Sequence, residues 1–534
     1  MGAKTETELA VGAELAAMLP ADAKPWYRTK HLVLLNLTLL VPLLSAASIG
    51  FDGKSTPYDV PERDQNLTDK STGAMMNGLQ TLGQWRAYFD NPSAPLLGAM
   101  NAIFPVGKVL GLFPATWICD RYGRKLSMWI GLFFLIGAAG LQAGSANLAM
   151  FLVSRLILGA ATALVAQPAP ILVAELAYPT HRAKATGMYQ TFFYVGAIFA
   201  AWSTYGTFRL DNSWSWRIPS LLQAFLPLLQ LLFFICVPES PRWLVANGKQ
   251  SQARDILVRW HAGGDQESPL VDYEIEQIEQ SIQQQAAVQS ETSYLDLIRT
   301  PANRKRTLIA AIVGFFAQWN GAAVVSYYLT LVLNTIGITK TSDQTLINGL
   351  LQVFNWLAAV FAGALMIDRL GRRTLFLTSV AGMLVCYIIW TALTAYFTAT
   401  LNTTAGNAVV AFIFIYYFFY DIAWAPLLLA YPVEIFDYRL RARGVTVTYA
   451  STFIGLIISQ LVNPVAMKAI GWKFYIVFCC ILSVLFVVIY FLFPETKGRS
   501  LEQVAEIFDG KNDTLEEKTK DGKTDVVEIE KRLG

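Results

Sequence analysis

Four ionisable residues interrupt the long apolar stretches of this chain: Asp52, Lys108, Arg155 and Asp421. A charge inside a lipid bilayer is energetically costly, so such residues mark functional sites by default. Asp52 ends the first apolar stretch, and Arg155 precedes Glu175 by 20 residues, about 30 Å of helix. We therefore expect Asp52 and Arg155 at similar depth. Arginine favours ionisation of a neighbouring aspartate and burial opposes it, which suits reversible proton binding. A static ion pair is the alternative.

The other two charges are predicted near the bilayer midplane. Lys108 lies 12 residues before Asp120, and Asp421 lies 13 residues before Glu434, which corresponds to about 18–20 Å of helix. Lys108 and Asp421 could pair with each other, or Lys108 could meet a substrate carboxylate. The second alternative would indicate an acidic substrate.

The composition indicates a membrane protein rather than a soluble enzyme. Of 534 residues, 54% are hydrophobic and 15% charged, against about 25% charged in soluble domains. The mean hydropathy is +0.41, and the net charge of +3 is too small to indicate nucleic-acid binding. Twelve apolar stretches are long enough to cross a bilayer, which takes about 20 helical residues. These spans 1 to 12 have the approximate limits 31–51, 95–119, 126–148, 149–174, 186–208, 218–237, 306–333, 345–367, 374–397, 408–433, 445–467 and 472–493.

Basic residues concentrate in the loops that follow even-numbered spans, which predicts that these loops and both termini are cytoplasmic. The cytoplasmic segments are then an N-terminal segment, 1–30, a linker with short helices, 238–305, and a tail, 494–534. No removable signal peptide is recognised, so span 1 is expected to direct insertion itself. We predict a multi-pass integral protein of the plasma membrane.

Three sequence features recur in the two halves of the chain. Asp120-Arg-Tyr-Gly-Arg-Lys125 after span 2 returns as Asp368-Arg-Leu-Gly-Arg-Arg373 after span 8. Glu175 with Arg182 returns as Glu434 with Arg441. Pro238-Glu-Ser-Pro-Arg-Trp-Leu244 returns loosely as Pro494-Glu-Thr-Lys-Gly-Arg-Ser-Leu501. The offsets are 248, 259 and 256 residues, so the chain is predicted to be two six-helix halves, 31–237 and 306–493, that rock about a central site.

These motifs resemble the sugar porter branch of the major facilitator superfamily over about residues 30–505. Gly50-Phe-Asp-Gly53, Met75-Met-Asn-Gly-Leu-Gln80 and Tyr431-Pro-Val-Glu-Ile435 resemble the fungal lactose permease and cellodextrin transporter group. The resemblance implies alternating access by twelve transmembrane helices. It also implies proton uptake by Asp52, tuned by Arg155.

The charged motifs at the inner ends of the helices are predicted to form a gate within each half. Such pairs form when the cytoplasmic side closes and separate when it opens. Anchoring by the positive-inside rule is the alternative. The predicted gate residues are Asp120, Arg124, Glu175, Arg182, Asp368, Arg372, Glu434 and Arg441.

A sugar site needs amides and hydroxyls for the sugar hydroxyl groups and an aromatic face for its C–H groups. Gln318-Trp-Asn-Gly-Ala-Ala-Val-Val-Ser-Tyr-Tyr328 resembles the family's substrate segment. It has Ala317 and Ala323 at positions where the family has amides, and Leu429 stands where a tryptophan is usual. This pocket would suit a less hydroxylated substrate than glucose or lactose. The substrate candidates are Gln318, Asn320, Tyr327, Tyr328, Asn355 and Trp424.

The polar segment 54–73 interrupts a stretch that is continuous in sequences of the family that this chain resembles. It is either a retained intron or an extracellular loop whose sequon at Asn66 could be glycosylated. Asn402 begins a second glycosylation sequon.

We predict a secondary transporter, most simply a proton-coupled importer of a mono- or disaccharide or a similar polar metabolite. An exporter or carrier of an acidic or secondary metabolite and a transporter-like nutrient sensor are the alternatives. No enzymatic residue set, metal site or cofactor is predicted, and the proton gradient supplies the energy. The expected partners are a small-molecule substrate, protons and the bilayer, without nucleic acid, and the chain is expected to be monomeric.

Overall fold

The computed structural model describes residues 26–52, 74–291, 293–365, 370–437, 439–497, 504 and 507–508. Every regular element within these ranges is helical, and the described chain contains no β-strand. The predicted all-α fold is confirmed. Several predicted features lie outside the described residues: segment 54–73 with Asn66, Asp368, most of the N-terminal segment and most of the tail.

The helices of the first half correspond in order to spans 1 to 6. Proline at the first position of a helix lacks only an N–H that would be unpaired anyway, so span 4 restarts at Pro168 after a break. The helices are Lys30–Asp52; Ala94–Tyr122; Arg124–Ala143; Leu148–Ala166 with Pro168–Leu176; Arg182–Thr207; and Trp214–Leu222 with Phe225–Phe233.

The second half follows the same plan, and its first span is also broken. Spans 7 to 12 are Pro301–Trp319 with Ala322–Thr335; Thr341–Leu365; Arg372–Thr400; Thr403–Ile435; Arg441–Ile470; and Phe474–Leu492. The linker contains the short helices Pro241–Ala246, Gln250–Trp260, Pro269–Glu291 and Asp296–Arg299. We call the side of the bundle with Arg124, Arg182, Arg372 and Arg441 the basic face, and the other side the opposite face.

By length and apolarity, nine helical stretches of the described chain could cross a membrane. Spans 11 and 12 are joined in one of these stretches, Arg443–Leu492, and spans 5 and 8 are absent from them. Span 5 packs against spans 1 and 8 and against helix Ala74–Thr81.

The two halves meet along two helix pairs, span 2 with span 11 and span 5 with span 8. In the internal repeat, span 8 corresponds to span 2 and span 11 corresponds to span 5. The two contacts between the halves are therefore equivalent under the repeat. Within the first half, spans 2 and 4 approach closely at small residues. A Cβ added to Gly107 would lie 2.2 Å from the carbonyl oxygen of Leu156, and one added to Gly159 would lie 2.1 Å from that of Phe104. These glycines allow close backbone contact.

A helix that the sequence did not predict, Ala74–Thr81, follows segment 54–73. It packs against spans 1, 5, 7 and 8, so it belongs to the bundle and is not a peripheral loop. Met75 and Met76 are buried, and Gln80 donates a hydrogen bond to the backbone carbonyl of Tyr327 at 3.2 Å. Both halves therefore contact this helix.

Candidate functional site

The basic face of the second half contains a cluster of charged and hydroxyl groups. The Arg372 Nε donates a hydrogen bond to the Glu434 carboxylate at 3.0 Å. Arg372 Nη2 lies 3.0 Å from the same carboxylate oxygen. Thr496 donates to the other Glu434 oxygen. Glu495 accepts the backbone N–H groups of Arg372 at 2.8 Å and Arg373 at 3.2 Å, which caps the start of span 9.

The first half repeats this arrangement with a looser ion pair. Arg124 Nε lies 3.5 Å from the Glu175 carboxylate, and Ser240 donates to the same carboxylate. Glu239 accepts the backbone N–H groups of Arg124 and Lys125, each at 3.1 Å, and so caps span 3. Burial raises the pKa of Glu239, while its backbone hydrogen bonds oppose the shift. The cluster can hold together the ends of spans 3, 4 and 6 at the basic face.

The remaining predicted gate residues lie differently. Arg182 is exposed, and Arg441 is buried. Asp120 is exposed, but its backbone carbonyl accepts a hydrogen bond from the Trp243 indole at 2.9 Å. The sequence pattern does not assign Glu239, Ser240, Glu495 and Thr496 to the predicted gate. The signal was present, because these residues occupy equivalent places in the repeated Pro-Glu-Ser/Thr motifs.

Span 7 is broken between its two helices at Asn320 and Gly321. Gly321 has φ +101°, a left-handed conformation that favours glycine. A helix end leaves carbonyl groups without helical partners. Four tyrosine hydroxyls from spans 9 and 10 donate to carbonyls around this break: Tyr420 to Ala317, Tyr416 to Asn320, Tyr387 to Gly321 and Tyr417 to Ala322. We call these four residues the tyrosine cluster, which the sequence did not predict.

Three candidate amides are fully or almost fully buried. Gln318 and Asn355 are 2% and 1% exposed, and neither Gln318 Nε2 nor either amide atom of Asn355 has a hydrogen-bond partner among the described residues. Asn320 Oδ1 accepts the backbone N–H of Ala322 at 3.1 Å, while its Nδ2 has no such partner in the described chain. Buried amides normally form hydrogen bonds. The amide nitrogens of Gln318, Asn320 and Asn355 can therefore donate to a ligand's hydroxyl groups, and Asn355 Oδ1 can accept from one.

Tyr327 and Tyr328 connect span 7 to the first half and to span 11. Tyr328 donates to the backbone carbonyl of Gln460 at 2.6 Å, and its backbone departs from helical geometry at φ −135° and ψ 30°. Asn101 of span 2 and Arg155 of span 4, both almost fully buried, lie near the Tyr328 hydroxyl. Asn101 was not predicted as a site residue, because a single amide in an apolar span has no distinguishing spacing.

Trp424 is buried against the ring of Phe376 in span 9, with ring centroids 5.2 Å apart. This edge-to-face contact favours a packing role. Phe376 also packs against Tyr431 and Phe493, which places Trp424 at the edge of an aromatic group. Among the substrate candidates, Trp424 is therefore the one whose contacts least resemble a binding position.

Two intramembrane cations share one aromatic ring. Lys108 Nζ lies 5.0 Å and Arg155 Cζ 5.3 Å from the centroid of Phe104. Arg155 is 2% exposed, and its Nε donates to the carbonyl of Met100 at 3.0 Å. Asp421 is completely buried. Asp52 is the last residue of span 1, and its side chain lies outside the described part of the structure.

Comparison with known proteins decides the family. The profile of the "Sugar (and other) transporter" family matches residues 53–508. The chain belongs to this family. It is 31% identical to the MFS-type transporter oryC of Aspergillus oryzae, with 77% of each chain covered. It is 29% identical to the high-affinity glucose transporter of Kluyveromyces lactis, covering 82% of this chain and 81% of that one.

Solved structures show the same fold for this sugar transporter family member. The inward-open xylose transporter XylE from Escherichia coli aligns with a TM-score of 0.69 at 22% identity, covering 89% of this chain and 100% of XylE. The two six-helix halves are thus the major facilitator fold. The chain is a multi-pass membrane transporter and not an enzyme.

Proposed function

We propose that this transporter imports a sugar or a similar polar metabolite together with protons. The observation that carries the proposal is the set of buried amide atoms on Gln318, Asn320 and Asn355 that have no hydrogen-bond partner among the described residues. Sugar hydroxyls both donate and accept, so they would complete the hydrogen bonding of these amides. The relatives support the substrate class, since one is a glucose transporter.

Proton coupling is proposed for Asp52 and Arg155. Arg155 is fixed by Met100 and is electrostatically close to Tyr328, which lies beside the amides of span 7. Protonation of Asp52 would change the local field at Arg155, and this change could reach Tyr328 and the contact between the halves. XylE, a proton:xylose symporter, has the same fold, which supports this mechanism by fold alone.

We further propose that the basic face is cytoplasmic and that the protein resides in the plasma membrane as a monomer. The charge clusters of Arg124 with Glu175 and of Arg372 with Glu434 would then close the inner side. Opening of these two clusters would release the substrate to the cytoplasm. No cofactor is needed for this cycle, because the proton gradient drives it.

Uptake of labelled glucose and xylose by yeast cells without hexose carriers tests the proposal. We expect a protonophore to abolish accumulation, and Asp52→Asn to leave exchange of sugar across the membrane while abolishing pH-dependent accumulation. Arg155→Lys should shift the pH profile, because lysine keeps the charge but not the planar hydrogen-bonding geometry. Unchanged pH-dependent accumulation in Asp52→Asn would refute the coupling role.

A second candidate is a carrier of an acidic metabolite. The observation in its favour is the pair of cations, Lys108 and Arg155, at the Phe104 ring. Lys108→Ala should then lose transport of a carboxylate such as glucuronate and keep transport of glucose. Equal loss of both substrates would count against this candidate.

A further inference from the structure

A cavity of about 440 Å³ opens on the opposite face, between the ends of the two halves on that side. Its first wall comes from helix Ala74–Thr81, helix Gly83–Tyr88 and the start of span 2, and its second wall comes from the ends of spans 7 and 11. We call it the vestibule. Cavities of about 300–1,000 Å³ commonly bind small ligands, so the vestibule has a suitable size for one. It is separate from the amides of Gln318 and Asn355, which do not line it.

Two cations line the vestibule, one from each half: Arg86 and Lys468. The residues that form its lining in the described structure include neither aspartate nor glutamate. A cleft lined by charge of one sign concentrates ligands of the opposite sign. Lys468 is exposed at the end of span 11, so its ammonium group is accessible from solution.

Arg86 is held in position for such a ligand. Its Nε donates to the carbonyl oxygen of Gln80 at 2.8 Å. This bond restrains the guanidinium plane and uses only one of its donors. The two terminal nitrogens remain able to form the paired hydrogen bonds that arginine makes with a carboxylate.

The neutral lining residues match a hydroxylated ligand. Gln80, Asn91 and Asn334 supply amides, and Thr335 supplies a hydroxyl. Asn334 Oδ1 already accepts from Gln344 at 2.7 Å, so its amino group is the part that can donate to a ligand. Amides and a hydroxyl around one cavity suit the hydroxyl rim of a sugar.

We propose that the vestibule is a binding site for sugar acids, in which Arg86 and Lys468 hold the carboxylate and the amides hold the hydroxyl groups. This inference rests on the proposed function, from which it takes the sugar-like ligand. It adds that the ligand bound in the vestibule is negatively charged. Gln80 also connects the vestibule to span 7 through its bond to the Tyr327 carbonyl. A ligand that displaced Gln80 would therefore loosen the contact between the halves directly above the substrate segment.

Binding to the purified full-length protein in lipid nanodiscs tests the vestibule site. Isothermal titration calorimetry at 50 mM salt would compare glucuronate with its uncharged methyl ester and with glucose. We expect glucuronate to bind at least about tenfold more tightly than the ester, since hydrogen bonds to charged groups are about twice as strong as neutral ones. Arg86→Gln and Lys468→Gln should each remove most of this preference, and Arg86→Lys should restore part of it.

Lys473→Gln is the matched control, because Lys473 is an exposed cation of the same face that does not line the vestibule. It should keep the preference for glucuronate. Equal affinity of wild type for the acid and the ester would overturn the proposal. So would a preference that survives in Arg86→Gln and Lys468→Gln but disappears in Lys108→Gln, since the anion would then bind inside the bundle. Failed sugar uptake with intact glucuronate binding would refute only the proposed transport function.

Discussion

The Glu434 carboxylate is bound by two nitrogens of Arg372 at 3.0 Å, whereas the equivalent Glu175 has a single approach from Arg124 at 3.5 Å. The two halves thus have the same arrangement of residues at the basic face, but the distances within their ion pairs differ. Both nitrogens approach Oε1, and Nε also lies 3.2 Å from Oε2, so this pair has three close contacts where the first half has one longer contact. The second half should therefore contribute more to holding this face closed.

Glu434→Gln is expected to lower the maximal uptake rate more than Glu175→Gln does. Loss of the charged acceptor should cost the closed state about 1.5 kcal/mol or more, which changes its population about tenfold. Initial uptake rates over a range of substrate concentrations measure the effect. Glu276→Gln, on the exposed face of linker helix Pro269–Glu291, is the control and should behave as wild type. A larger effect of Glu175→Gln would contradict the ranking.

Tyr416→Phe should destabilise the break in span 7. The substitution removes the hydroxyl that donates to the Asn320 carbonyl at 3.0 Å, and it leaves that carbonyl buried without this donor. The expected loss is about 1–2 kcal/mol, measured as a lower melting temperature of the purified protein in detergent. Tyr396→Phe is the control, because Tyr396 is 52% exposed on span 9. Equal melting temperatures for wild type and Tyr416→Phe would show that the tyrosine cluster does not support the break.

Gln318→Ala and Asn355→Ala should raise the KM for sugar by about tenfold each, because each removes an amide available to a substrate hydroxyl. Trp424→Ala should keep the KM within about twofold and instead lower thermal stability by about 3–5 kcal/mol, as expected for a buried aromatic residue. Uptake kinetics combined with thermal unfolding separate the two effects. A large rise in KM for Trp424→Ala at wild-type stability would return this residue to the substrate site.

The sequence predicted the elements that depend on local pattern. Twelve spans follow from apolar length, and the paired arginines and glutamates follow from repeated spacing. Arg372 and Glu434 lie 62 residues apart, yet their equivalence to Arg124 and Glu175 placed them at one face. Repetition supplied the long-range information that a single motif lacks.

The sequence could not predict contacts that depend on helix packing. Tyr387 and Tyr416 have no spacing relationship to the carbonyls of Gly321 and Asn320, so only the folded structure connects them. Lys108 and Arg155 were predicted at different depths, but both lie near Phe104 because spans 2 and 4 pack closely at glycines. The vestibule combines residues from both halves, and Arg86 and Lys468 have no shared motif.

Deletion of residues 54–73 should preserve transport. The segment separates span 1, which ends at Asp52, from helix Ala74–Thr81, and both helices pack in the same bundle. Joining Gly53 to Ala74 restores the continuous spacing of the related family sequences. If the segment is a retained intron, the shortened protein should reach the membrane at least as well as the full chain and show proton-dependent uptake of the same or higher rate. Sequencing of the transcript is the independent check. A spliced transcript that contains these codons, together with loss of uptake on deletion, would show that the segment belongs to the working transporter.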